Sequence, residues 1–261
     1  MSLEQKIKAN IREDGAISFS EFMKFALYDE TEGFYSHGGA GRKKDFITSP
    51  EVGPLFGKII SRAIDECWIE FGKPSQFTFL ECGAGSGTLA KSILRSQMQC
   101  KGALKYIAVE SSSQQIQTHP AAVQTLSSMP NEIEVGIIFA NELLDNLPFD
   151  IFESQNDGSW LEVKITVDDE TISEILIPNN EKAPPYKLET PNVRVPVQRE
   201  AQKWLKDALE ILHNGKIIVI DYAVESFESH QKQHWLRTYQ QHEVDTLSLI
   251  HISEPTRPSV I

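Results

Sequence analysis

The stretch that most constrains this chain is Gln76-Phe-Thr-Phe-Leu-Glu-Cys-Gly-Ala-Gly-Ser-Gly-Thr-Leu-Ala90. Phe77, Phe79 and Leu80 read as a short buried strand that ends at Glu81. Gly83, Gly85 and Gly87 follow at alternate positions, and Thr88 to Leu94 then carries apolar side chains at helical spacing. Strand, glycine turn and helix bring bare backbone up to a nucleotide-like ligand, because glycine accepts positive φ and has no Cβ to stand in the way. The spacing is Gly-x-Gly-x-Gly, not the Gly-x-Gly-x-x-Gly of a dinucleotide site. No Lys-Ser/Thr pair follows the last glycine, so the turn is not a P-loop. An acid ahead of the first glycine suits a ligand with a cationic or hydrogen-bond-donating group and suits a pyrophosphate poorly.

Further strands end in acids as well. Leu104 to Glu110 reads as the second strand, with Glu110 at its tip, about twenty residues after the last glycine, where an acid can accept both hydroxyls of a ribose. A solvated strand end is the plainer alternative. A third strand is expected within Leu126 to Pro130. Glu134 to Ala140 is a buried strand, and Asn141-Glu-Leu-Leu-Asp145 leaves its end. Carboxyl ends of strands in open α/β sheets face the ligand crevice, which makes Asn141 and Glu142 candidates, with Asp145 one helical turn on. Equally, Asn141 is a good helix N-cap and the acids good dipole partners. Lys216 to Tyr222 reads as the fifth core strand, again ending in an acid.

Between these strands the pattern changes. Phe149–Glu153, Trp160–Val167 and Thr171–Ile177 alternate apolar and polar residues, with turns at Asn156–Ser159 and Asp168–Glu170, and so predict an antiparallel insertion over about 149–195. Ala183–Pro185 and Pro191–Pro196 read as extended connectors. Gln198 to Leu212 is an amphipathic helix, closed by His213-Asn-Gly215. At the N-terminus, Leu3–Asp14 is a helix stopped by Gly15, and a Ser18/Glu21 capping box opens a second helix that ends near Tyr28-Asp29. Gly33 to Glu51 mixes glycines, basic residues and aromatics and reads as a loop, with Asp45–Ser49 part of a lid. Ser49 as N-cap and Pro50 then open a helix that runs through Trp68.

Composition excludes some functions. A formal charge of −12 argues against a general nucleic-acid binder. No apolar run approaches a membrane span. Cys67, Cys82 and Cys100 lack metal-ligand spacing and read as buried reduced thiols of a reducing compartment, and His230, His234 and His242 lack partners at metal spacing. Met1–Lys6 resembles neither a signal peptide nor a transit peptide.

Glu81-x-Gly-x-Gly-x-Gly87 resembles the first motif of class I S-adenosylmethionine (SAM) methyltransferases. Phe22-Met-x-x-Ala-Leu-Tyr28, Gly33-Phe-Tyr35, Asp45-Phe-Ile-Thr-Ser-Pro-Glu51, Phe56-Gly57, the glycine stretch, Ala140-Asn-Glu-Leu-Leu-Asp-Asn-Leu-Pro148 and Trp235-Leu-Arg-Thr-Tyr239 with His242 come in the order seen in the MidA-like methyltransferases, with Lys44 where that family usually has Gly. The family is that of a mitochondrial complex I assembly factor acting as a protein arginine methyltransferase. The resemblance implies an α/β fold: a class I methyltransferase (Rossmann-like) doubly wound sheet with N-terminal helices and an antiparallel β insertion. It divides the chain into an N-terminal helical region with a lid loop, 1–72, and a SAM-binding domain, 73–246. The tail, 247–261, reads like a translated sequencing adapter and is expected to be non-native, with the last strands of the sheet missing. SAM would be held by Glu81, Gly83, Ala84, Gly85, Gly87, Glu110, Thr48 and Ser49. Asn141, Glu142 and Asp145 would serve catalysis. The acceptor would be a protein arginine on a respiratory complex I subunit, with no nucleic acid, metal or membrane span involved. The compartment would be the bacterial cytoplasm or, in a eukaryote, the mitochondrial matrix. A SAM-binding assembly chaperone without obligatory chemistry and a small-molecule methyltransferase are the rival readings.

Overall fold

The structure, a computed structural model, describes residues 1–37 and 53–222 and, as backbone, 238–240 and 243–245. Thr48, Ser49, the lid loop, His230, His234, Trp235, His242 and the tail 247–261 lie outside the described residues. Helix α1 (Leu3–Asp14) stops at Gly15, whose φ of 87° no ordinary side chain favours. A short strand β1 (Ile17–Ser18) leads into α2 (Phe19–Tyr28), opened by the expected Ser18/Glu21 capping box. Helix α3 (Pro54–Glu70) follows. The helix expected from Ser49 therefore does not run unbroken to Trp68. Gly53 is extended at φ 166° and Pro54 takes the first helical position. A residue before proline is pushed out of the helical region, and proline itself favours a helix start, so Gly53-Pro54 sets this boundary.

Next come β2 (Phe77–Cys82), α4 (Thr88–Arg95), β3 (Leu104–Val109), the short α5 (Ser113–Ile116), β4 (Gln124–Leu126) and β5 (Ile133–Asn141). The third strand thus ends where it was expected to begin, because pairing with Ile107–Val109 of β3 selects Gln124–Leu126 over the stretch that follows. Strands β6 (Asp150–Ser154), β7 (Trp160–Asp168), β8 (Thr171–Pro178) and β9 (Arg194–Val197) form the antiparallel region, followed by α6 (Arg199–Ile211), β10 (Leu212–Ile220) and the hairpin β11 (Thr238–Gln240) with β12 (Glu243–Asp245). Two sequence expectations fail here. Pro191–Pro196 is no mere connector, since Arg194–Val197 pairs with β6 at the sheet edge, where a strand can accommodate Pro196. His213-Asn-Gly215 does not close a helix either: it lies inside β10, where Gly215 faces Gly136 of β5.

The chain divides into two compact units, Met1–Phe34 with Asn146–Gln202 and Tyr222–Ile261, and Tyr35–Asp145 with Lys203–Asp221. The N-terminal region drawn to residue 72 is thus shared between them. In the first unit the sheet runs β1-β7-β6-β9 with β8 on β7. Phe19, Phe22, Phe152 and Trp160 are buried there, and Phe19 packs on Phe149 with ring centroids 5.6 Å apart. The β7–β8 turn carries positive φ at Asp169 and Glu170, the twist a tight hairpin demands.

The second unit is a parallel sheet in the order β10-β5-β2-β3-β4. Alternation along the strands splits its side chains between two faces. Phe77, Phe79, Tyr106, Ile137 and Phe139 pack against Ile60 and Ile64 of α3 and Leu89 and Ile93 of α4. Leu80, Cys82, Ile107 and Ile138 pack against Trp204, Ala208 and Ile211 of α6. Each fully buried Leu, Ile or Phe among them contributes about 1.5–3 kcal/mol by leaving water. The strands also pack closely where glycine permits it: a Cβ on Gly136 would stand 2.0 Å from the Thr78 carbonyl oxygen. Gly136→Ala is expected to lower stability by about 2 kcal/mol in urea titration, and an unchanged midpoint would show that the strands yield freely.

Candidate functional site

In this sheet the chain runs outward from β2 to β3 and β4, then crosses back to β5 and β10. The reversal lies between β2 and β5, where open α/β sheets bind ligands beyond their carboxyl ends. The residues there are the glycine turn after β2, Glu110 after β3, Asn141 and Glu142 at β5 and Asp221 after β10.

The turn is built by hydrogen bonding and glycine conformation together. Gly83 and Ala84 donate their N–H groups to the Val109 carbonyl at 3.0 and 3.1 Å, and Gly87 donates to the Ala84 carbonyl at 3.0 Å. Gly83, Gly85 and Gly87 take φ of 70°, 52° and 69°. They differ in what a side chain would meet. A Cβ at Gly83 would press on Leu143, whereas one at Gly85 would meet nothing within 4 Å. Gly85 therefore keeps the front of the turn open, and Val there would both strain the backbone and fill that space.

Glu110, half-buried, does more than mark a strand end. Its Oε2 accepts from Gly85 N–H at 2.8 Å and its Oε1 from Ser112 N–H at 2.8 Å. Two bonds leave a carboxylate with lone pairs to spare, so Glu110 can hold the turn and still accept from a ligand hydroxyl. Ser112 in turn donates its hydroxyl to the Tyr35 carbonyl at 3.0 Å.

Glu81 is buried on the face it shares with Phe77 and Phe79. Burial pushes its carboxyl up to about 7, with the nearby Glu110 charge adding to the rise and a hydrogen bond from Tyr106 opposing it. The Tyr106 hydroxyl donates to Glu81 Oε2 at 2.5 Å, and its own titration is pushed well above the usual range by burial and by that carboxylate. Tyr106 escapes sequence reasoning because it reads there as one more apolar strand residue. Its only signal is the period: it lies on the Glu81 side of β3.

Asn141 and Glu142 are brought together, Asn141 Nδ2 donating to Glu142 Oε1 at 3.4 Å. Asn141 Oδ1 is buried with no hydrogen-bond partner among the described residues. Glu142 takes φ of 50°, and its N–H donates to the Ile220 carbonyl at 2.8 Å. The segment is not the helical turn that the sequence suggests. The left-handed Glu142 breaks it, and Leu144–Asn146 forms a 3-10 turn in which Asp145 is buried, 2% exposed. Asp221 fixes this turn by accepting from Leu144 N–H at 2.8 Å. The acid at the end of the fifth strand was the available clue to it.

Cys67, Cys82 and Cys100 are free and buried, and burial pushes the thiols of Cys82 and Cys100 up to about 12, so both stay protonated. Among the described residues no helix is long and apolar enough to cross a membrane.

Residues 59–253 match the model of the family described as "Putative S-adenosyl-L-methionine-dependent methyltransferase". The chain belongs to this family. The MidA-like resemblance, the glycine turn and the sheet order all agree with that membership, and the cofactor is S-adenosyl-L-methionine. The fold is also similar to that of a superfamily member from Burkholderia thailandensis crystallised with S-adenosyl-homocysteine, at a TM-score of 0.82 and 23% identity, over 97% of this chain and 73% of that one. Among curated proteins, this MidA-like chain is 37% identical over 95 residues to "Protein arginine methyltransferase NDUFAF7 homolog, mitochondrial" of Drosophila melanogaster, covering 36% of the chain and 22% of that protein. It is 28% identical over 192 residues to the human protein of the same kind, covering 60% of the chain and 43% of the human protein. The chain thus spans less than half the length of either.

The residues present fit the cofactor. An open turn at Gly85, a carboxylate with acceptor capacity at Glu110 and an Asn141 acceptor left without a partner among the described residues suit a ligand rich in donors and positive charge. Gly85→Val is expected to weaken S-adenosyl-homocysteine binding at least about tenfold by calorimetry, and undiminished affinity would move the site elsewhere.

Proposed function

We propose that this chain acts as a SAM-dependent methyltransferase whose acceptor is a protein arginine, with a role in respiratory complex I assembly. The observation that carries the proposal is the neighbouring position of β2 and β5. It sets the open glycine turn beside a strand end bearing Asn141 and the left-handed Glu142. The names of the curated relatives, protein arginine methyltransferases of mitochondria, support the acceptor and, in a eukaryote, the compartment.

Bound SAM supplies a methyl group on a positively charged sulfur. The chain's own residues then have distinct tasks. Gly83, Ala84, Gly85 and Gly87 shape the cradle, Glu110 offers acceptors to the ribose, and Glu81 lies toward the amino-acid end. A guanidinium stays protonated in water, with a pKa above about 12. A carboxylate must therefore orient it, draw its charge to the far nitrogens and take a proton. We assign that work to Glu142 and Asp145, with the Asn141 carbonyl oxygen accepting from an acceptor N–H. Thr48 and Ser49, outside the described residues, are proposed as further cofactor contacts.

Incubating the chain with isotopically labelled SAM and candidate complex I subunits, followed by intact-mass analysis, tests this reading. One labelled methyl on an arginine peptide is the expected result. Label on a small molecule alone would transfer the activity to another acceptor class.

A further inference from the structure

The reading of the glycine turn as the cofactor cradle, on which this inference rests, leaves one contact unused. His119 follows α5 and lies outside every motif that the sequence brings forward. Its Nε2 stands 2.7 Å from the Gly85 carbonyl oxygen and its Nδ1 stands 2.9 Å from Thr125 Oγ1. A backbone carbonyl only accepts, so Nε2 must carry the hydrogen. In the neutral ring Nδ1 then accepts from the Thr125 hydroxyl, and Thr125 is fixed in β4 by its pairing with Ala108 of β3. The carbon edge of the same ring lies against the last glycine: a Cβ on Gly87 would stand 3.0 Å from His119 Cδ2.

Gly85 is thereby held at both of its polar atoms by side chains, its N–H by Glu110 and its carbonyl by His119. The next carbonyl, that of Ser86, accepts from Lys91 Nζ at 2.8 Å, and the Thr118 hydroxyl stands 2.8 Å from both it and the Gln115 carbonyl. Glycine enters and leaves the left-handed region with equal ease, so the Gly85–Ser86 peptide has little conformational preference of its own. Holding it before the ligand arrives lowers the ordering cost of binding.

We propose that His119 is a positioning residue for the cofactor site: its Nε2–H, in the tautomer that the Gly85 carbonyl demands and the Thr125 hydroxyl accommodates, clamps that carbonyl and holds the cradle in its binding form.

Two near-isosteric variants separate the ring nitrogens. The amide nitrogen of Gln falls about where Nε2 lies, and that of Asn about where Nδ1 lies. In the 261-residue chain, His119→Asn is expected to weaken S-adenosyl-homocysteine binding about fivefold, the size of one lost hydrogen bond. His119→Gln is expected to stay within about twofold of wild type, with the unliganded Tm values of the two variants in agreement. Long-range proton–nitrogen correlation of the wild-type imidazole is expected to show a hydrogen on Nε2. Equal binding by the Asn and Gln variants, weakening that follows Tm, or an Nδ1–H ring would each overturn the positioning role. Wild-type binding with an unaffected Asn variant removes that role alone, whereas a wild-type chain that binds no S-adenosyl-homocysteine removes the cofactor site and the role together.

Discussion

Glu142→Gln is expected to lower kcat by roughly a thousandfold, within the span ascribed to a positioned proton acceptor, while leaving S-adenosyl-homocysteine affinity within about twofold. The change keeps shape and one acceptor oxygen for the Asn141 amide, turns the other oxygen into an amide donor, and removes charge and basicity. If Glu142 takes a proton from the acceptor, turnover collapses and cofactor binding does not. Full turnover in this variant would remove Glu142 from the mechanism. A second substitution probes why a non-glycine residue occupies φ of 50°. Holding an L side chain there costs about 1–2 kcal/mol, which persists only where the surroundings impose it. Here the Ile220 carbonyl fixes Glu142 N–H, and Asp221 fixes Leu144 N–H two residues on. Glu142→Gly relieves that cost. It is therefore expected to raise the urea midpoint while abolishing turnover, the combination that marks a residue kept for chemistry and not for stability.

How much of the fold and site is legible in the sequence follows from the range of the interactions involved. The glycine turn, the Ser18 capping box, the strands ending at Glu110 and Asn141 and the hairpin at Asp168–Glu170 rest on residues within a few positions of each other, and sequence period exposes such features directly. The misplaced pieces depend on partners far along the chain. Gln124–Leu126 is a strand because Ile107–Val109 lies beside it. Gly215 reads as a helix stop until Gly136 is seen opposite it. Pro196 reads as a connector until β6 is found alongside. The site divides in the same way. Its acids stand at strand ends, where spacing alone marks them, but the groups that hold them do not. Tyr106 on Glu81, Asp221 on Leu144 and His119 on Gly85 all act across 25 or more residues. Gly53-Pro54 is different, since that boundary is written locally and is outweighed by the stronger Ser49-Pro50 signal just before it.

Glu81 yields the second large effect. Its folded carboxyl titrates at about 7, against an ordinary 4.5, chiefly because burial disfavours the charge. Between those two pH values the folded chain holds a proton that the unfolded chain has released. Stability from this group is therefore fully present below about pH 4.5, falls as pH rises through the window and is gone above about pH 7. A tenfold difference in proton affinity is worth about 1.4 kcal/mol, so across this window the loss is roughly 3 kcal/mol. Glu81→Gln carries no charge to bury, so the unliganded variant is expected to exceed wild type by roughly that amount at pH 8 and to match it near pH 4. Urea titrations across this range read the difference, and parallel wild-type and variant curves would show that Glu81 does not titrate in the window. The same reasoning extends to the cofactor. A ligand with positive charge close to Glu81 favours the ionised carboxyl, so binding of SAM at pH 6 is expected to expel a proton, seen as a buffer-dependent binding enthalpy that Glu81→Gln abolishes. Burial thus makes the Glu81 charge unfavourable in the unliganded chain, and a cationic ligand beside it would make that charge favourable again.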